Sequence, residues 1–77
     1  NPFNPVTSIK YNVPIQSQVS LTIYDLRGRK VLSLLNENLQ PGFHSIAWHA
    51  NSYSTGLYFV QMIAGDYIST KKLMLIK

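Results

Sequence analysis

Seventy-seven residues make one small domain with no room for a second core, since a chain this short buries only about 60–65% of the surface its unfolded form exposes. The absence of cysteine excludes a disulfide framework or thiolate metal site, so apolar packing and strand pairing must supply the stability. The longest apolar runs, Leu57–Val60 and Leu73–Ile76, fall far short of the roughly 20 residues a spanning helix needs. Lys and Arg outnumber Asp and Glu seven to three without forming a basic block, a balance that favours solubility and, mildly, acidic partners.

The chain opens on two Asn-Pro pairs, Asn1–Pro2 and Asn4–Pro5, with neither an initiator methionine nor a signal peptide, and so reads as a piece of something longer. Proline removes backbone donors and biases the preceding residue away from the α region, so residues 1–5 read as the end of an interdomain linker. From Val6 the pattern takes period two: Thr7, Ile9, Tyr11 and Val13 share one face, Ser8, Lys10 and Asn12 the other, until Pro14 stops the strand. Gln16–Gln18 reads as a polar turn. Strict alternation then places Val19, Leu21 and Ile23 opposite Ser20, Thr22 and Tyr24 in a second, β-branched strand.

The stretch "DLRGRK" supplies a tight connection in which Gly28 takes the left-handed conformation and closes a hairpin with a bulge. The next segment is ambiguous, because Val31, Leu34, Leu35 and Leu39 also fit helical spacing. Its place after a hairpin turn argues for a third strand over Lys30–Leu35, with "NENLQPG" as turn and loop. A fourth strand follows Pro41-Gly42, with His44, Ile46 and Trp48 on one face and Ile46 and Trp48 entering the core. After the loop "NSYSTG", the apolar run "LYFVQMIA" suits a central strand covered on both sides. A turn at Ala64–Asp66 leads into a last strand over Tyr67–Ile76. Strands every dozen residues, punctuated by Gly, Pro, Asn and Ser, predict an all-β sandwich of six or seven antiparallel strands filling residues 6–77.

The ordered blocks "NPFNP…IKYNVP", "VSLTIYDLRGRKV", "PGFHSIAWHA" and "STGLYFVQMIAGDYISTKKLMLIK" together resemble the C-terminal sorting domain of type IX (Por) secretion cargo. The resemblance runs along the whole chain. It implies a small immunoglobulin-like sandwich, related in pattern to the β domain of the flagellar hook-capping protein, although the immunoglobulin cysteine pair is missing. The family's motif positions fall on Gly28, on Gly42, His44 and Trp48, on Gly56 and Tyr58, and on Gly65. Two positions depart from the family's habit: His49 stands where an acidic residue often follows the tryptophan, and Lys71 or Lys72 where an arginine is common.

By implication, this is a non-catalytic recognition element at the C-terminus of a larger protein. It would be read by an outer-membrane translocon that carries the N-terminal passenger from the periplasm of a Gram-negative bacterium to the surface or the medium, and would often be removed afterwards. The recognition residues expected on this basis are Lys71, Lys72, Leu73, Met74, Leu75, Ile76 and Lys77, offered as a strand edge. An apolar strand edge also leaves open a dimer.

Other classes fare worse. His44 and His49 would face opposite sides of a strand and cannot ligate one metal from the same face. Three acidic residues and no nucleophile elbow leave little for catalysis. No cofactor motif is present, and the scattered basic residues do not form a nucleic-acid groove. A carbohydrate-binding or structural accessory module is the alternative, but with Trp48, Tyr58 and Phe59 read as inward or between sheets, only Tyr53 is left as an exposed ring for a sugar.

Overall fold

The computed structural model describes residues 6–76; the expectations for residues 1–5 and for Lys77 lie outside the described residues. Six strands follow one another: β1 (Val6–Val13), β2 (Ser17–Tyr24), β3 (Lys30–Leu39), β4 (Gly42–His49), β5 (Gly56–Ala64) and β6 (Tyr67–Leu75). They form two antiparallel sheets, a small one of β1 and β4 and a large one in the order β3-β2-β5-β6. The all-β sandwich expected from the pattern is therefore present, with six strands.

Alternation sets the core. Ile9 and Val13 of β1 and Trp48 of β4 face Val19, Leu21 and Ile23 of β2, Tyr58, Val60 and Met62 of β5, and Leu75 of β6 in one buried cluster. Packing of this kind, rather than hydrogen bonds, joins the sheets, because no strand pairing connects them. The chain crosses between sheets abruptly at Gln40–Pro41, where Gly42 begins β4 at φ 123°, a region that residues with a Cβ rarely adopt.

Three expectations need correction. The strand β3 runs to Leu39 instead of ending at Leu35, and β2 begins at Ser17, inside the expected turn. The polar stretch stays extended because it continues the ladder with β2: the Gln18 Nε2–H donates to Asn36 Oδ1 at 2.9 Å and Gln16 Nε2–H to Asn38 Oδ1 at 3.0 Å. Second, β5 is buried on its inner face only. Leu57 and Phe59 are half-buried and Ile63 exposed on the outer face, because the small sheet covers only the opposite side. Third, Tyr53 is half-buried against the core, its ring centroid 5.4 Å from that of Trp48, and among the described residues the exposed Phe and Tyr rings are instead Phe43 and Tyr67, on different sheets.

The helical spacing in β3 has a structural cause. Its register with β2 shifts twice, so that Val31 and Leu34 are extra residues in the ladder. Each bulge resets the in-out parity. Half-buried residues consequently fall at Val31, Leu32, Leu34 and Leu35 instead of at every second position.

The β2–β3 hairpin turns as "DLRGRK" suggested. Gly28 N–H donates to the Asp25 carbonyl at 3.0 Å, and Gly28 has φ 81°. A Cβ there would meet nothing within 4 Å, so the requirement is purely one of backbone conformation. Gly28→Val is expected to lower unfolding stability by about 1–3 kcal/mol, and Gly28→Asn by clearly less, since Asn tolerates the left-handed region. Urea denaturation of both variants checks this; equal stability of Gly28→Val and the parent would contradict it.

Candidate functional site

The sheet places the last strand, the one expected to be recognised, at an edge: among the described residues β6 pairs only with β5. Alternation splits its residues between two faces. Leu73 packs against the core and Leu75 is 1% exposed, so these two anchor the strand. Lys72 and Met74 point to the outer face, opposite Phe59 and Leu57. Met74 is 53% exposed and Ile76, just past the strand, 73%. Lys71 lies on the inner side, opposite Val60. Of the seven residues expected to act together, Leu73 and Leu75 thus hold the strand, Lys72, Met74 and Ile76 are exposed, Lys71 is exposed on the inner side, and Lys77 lies outside the described residues.

The motif positions do structural work. Trp48 sits at the centre of the core, with Tyr58 edge-on to it at 5.2 Å. The Tyr58 hydroxyl donates back to the Ser54 carbonyl at 2.6 Å and so ties the β4–β5 loop to the start of β5, much as the tyrosine corner does in immunoglobulin folds. His44 stacks on its cross-strand neighbour Tyr11 at 5.6 Å. Its Nε2 lies 2.8 Å from the Gln40 carbonyl, which fixes the proton on that nitrogen and pins the β3–β4 corner. Burial, and to a lesser degree the Glu37 carboxylate, hold the Tyr11 phenol above its usual range. Gly56 opens β5 and Gly65 begins the two-residue turn between β5 and β6.

One residue escaped notice in the sequence. The Asp25 carboxylate accepts the backbone N–H of Arg27 and of Arg29, each at 2.9 Å, and Arg29 Nε–H at 3.2 Å. The signal was available, since Asp is favoured at the first position of such turns. The Arg29 backbone hydrogen bond lowers the Asp25 pKa most; desolvation, the next largest effect, opposes it, and the Arg27 backbone bond with the Arg29 charge and side-chain bond carry the net shift downward. A carboxylate whose folded pKa is depressed adds stability above its unfolded value, near 3.8 here, and loses it as pH falls through the folded value. Melting temperatures between about pH 2 and 6 are expected to fall more steeply for the parent than for Asp25→Asn, which keeps an acceptor without the titration. Parallel curves would contradict this.

The last strand is thus an edge anchored from within, with exposed apolar and basic groups beside it, over a core that includes Trp48 and Tyr58. The family model described as a secretion system C-terminal sorting domain matches residues 1–77, the full chain. The chain belongs to this sorting-domain family. No curated protein and no solved structure gives a significant match. The sorting domain is a targeting signal for the type IX secretion system, so it serves a passenger on its N-terminal side and the secretion machinery that reads it. Proteins bearing it are secreted or attached to the surface of Gram-negative bacteria. The family is one of targeting.

Proposed function

We propose that the outer-membrane translocon of the type IX system reads this sorting domain along β6. The carrying observation is that β6 is an edge strand whose core side is locked by Leu73 and Leu75 while Lys72, Met74 and Ile76 stay exposed. Strand addition to such an edge gains affinity from main-chain hydrogen bonds and specificity from alternate side chains. The lysines speed encounter with an acidic surface. The domain has no chemistry of its own on this reading: of its three acidic residues one, Asp25, is engaged in holding a turn. Residues 1–5 are the end of the linker to the passenger, and residues 6–77 the single sorting domain.

The test is export of a fluorescent carrier with a secretory signal, fused ahead of Asn1–Lys77, in a bacterium with an intact type IX system and in a translocon-deficient twin. The parent fusion is expected at the surface or in the medium of the intact strain alone. A variant combining Lys72→Glu, Met74→Ser and Ile76→Ser is expected to remain folded and to be exported about tenfold less, the equivalent of losing roughly 1.4 kcal/mol of recognition. Undiminished export of this folded variant would move recognition away from β6.

A further inference from the structure

The sandwich is unequal, two strands facing four, and the missing cover leaves a groove of about 270 Å³. One wall consists of the consecutive residues Ile9, Lys10, Tyr11 and Asn12 of β1. Successive side chains of a strand point to opposite faces, so a run of four neighbours can border one cavity only where the strand turns its backbone edge toward it. Among the described residues that edge is free, because β1 pairs with β4 alone. The floor is made differently. Leu21, Val60 and Met62 reach it from the inner face of the large sheet, and β6 contributes the alternate residues Tyr67, Ser69 and Lys71. The groove therefore occupies the place where a third strand of the small sheet would lie, with unpaired backbone on one side and an apolar floor beneath.

Charge narrows the occupant. Lys10 and Lys71 are the charged residues that border the groove, and none of Asp25, Glu37 and Asp66 does. Among the described residues the one salt bridge, Arg29 to Asp25, involves neither lysine. A lysine on an edge strand discourages pairing with like-charged strands. A second copy of this chain, itself carrying a net charge of +4, brings the same lysines to the same groove. An acidic strand meets two cations that lack a carboxylate.

We propose that this groove receives an extended acidic segment of another protein, which pairs with the free edge of β1 as a third strand of the small sheet. Its alternate side chains settle over Tyr67 and Ser69, beneath which Leu21, Val60 and Met62 are already almost closed off, and its carboxylates meet Lys10 and Lys71. The segment completes the smaller sheet to three strands against four. The site is separate from the outward side of β6, so the proposal stands or falls independently of translocon recognition there.

The probe is a synthetic peptide of about seven residues, close to the usual strand length, with valine at alternate positions and threonine and glutamate between; its counterpart carries lysine for glutamate. Titration of the 77-residue chain, followed by amide hydrogen exchange, is expected to show binding of the acidic peptide and new protection at alternate amides of β1 between Ser8 and Val13. Combined Lys10→Glu and Lys71→Glu, both exposed positions, is expected to weaken the acidic peptide by about tenfold or more and to favour the basic one. Ser69→Trp fills the groove from its floor and is expected to abolish binding of both peptides; should that variant fail to fold, the lysine reversal decides alone. Absence of binding, equal affinity for the two peptides, or protection appearing on β6 in place of β1 would overturn the proposal. So would protection of β1 that rises with protein concentration in the absence of peptide, which would make the occupant a second copy.

Discussion

Trp48→Ala is expected to unfold the domain. The indole is 1% exposed, the largest fully buried side chain, and Tyr53 and Tyr58 both rest on it. Removing a buried aromatic of this size costs about 3–5 kcal/mol through lost transfer energy and the cavity left behind. A single core in a chain of this length rarely supplies more than about 3–5 kcal/mol in total, so the loss matches what is available. Trp48→Phe separates packing from polarity. The indole N–H is buried without a hydrogen-bond partner among the described residues, so phenylalanine gives up volume while also removing a donor whose desolvation nothing repays. It is expected to cost much less than alanine. Urea titration followed by circular dichroism measures both, and in the parent the chain's one tryptophan reports the same transition by fluorescence. A folded, cooperative Trp48→Ala domain would mean that the core does not depend on this ring.

The second large effect concerns Leu75. Its side chain is 1% exposed at the end of β6, opposite Gly56, and belongs to the same cluster as Val13 and Ile23. Leu75→Ala is expected to cost about 2–5 kcal/mol and to release the last strand from the sheet. Met74→Ser and Ile76→Ser, at exposed neighbouring positions, are each expected to change stability by no more than about 0.5 kcal/mol. The contrast matters for export. Removing residues 73–77 outright deletes an anchor together with the surface it presents, so lost export from such a truncation reports unfolding as readily as lost recognition. Denaturation midpoints for the three single variants, set beside export of the same fusions, separate the two. Equal stability of Leu75→Ala and Ile76→Ser would refute the division of β6 into anchoring and presented residues.

How much of this was legible beforehand depended on whether one residue's environment was set by its neighbours in sequence. In β1 and β2 it was, because unbroken alternation with one buried face fixes which residues go in: Ile9, Val13, Val19, Leu21 and Ile23 fell as read. In β3 it was not. A bulge is a property of a strand pair, and the shifts at Val31 and Leu34 exist only relative to β2, so the single-strand pattern mimicked a helix. The polar end of β3 hid for the same reason: Asn36 and Asn38 read as turn residues until Gln16 and Gln18 stand across from them. The two-sided burial expected for β5 misled because an apolar run says nothing about how many strands the opposite sheet contains. Phe59 was read inward on that account and lies on the outer face instead. The last strand, β6, lies where the pattern placed it, over Tyr67–Leu75. The split between Lys71 and Lys72, one toward the groove and one away, required the register with Val60 and Phe59.

The division into two sheets also decides how the domain bears a load. On the proposed reading of β6, a passenger on the N-terminal side pulls through β1 while the translocon holds β6. These strands belong to different sheets, and no ladder of backbone hydrogen bonds runs between them. Tension along that line falls on the contacts of Ile9, Val13 and Trp48 with the large sheet, short-range contacts that give way after a small separation. Under such a pull the two sheets would part first, with the β2–β5 and β5–β6 ladders still intact.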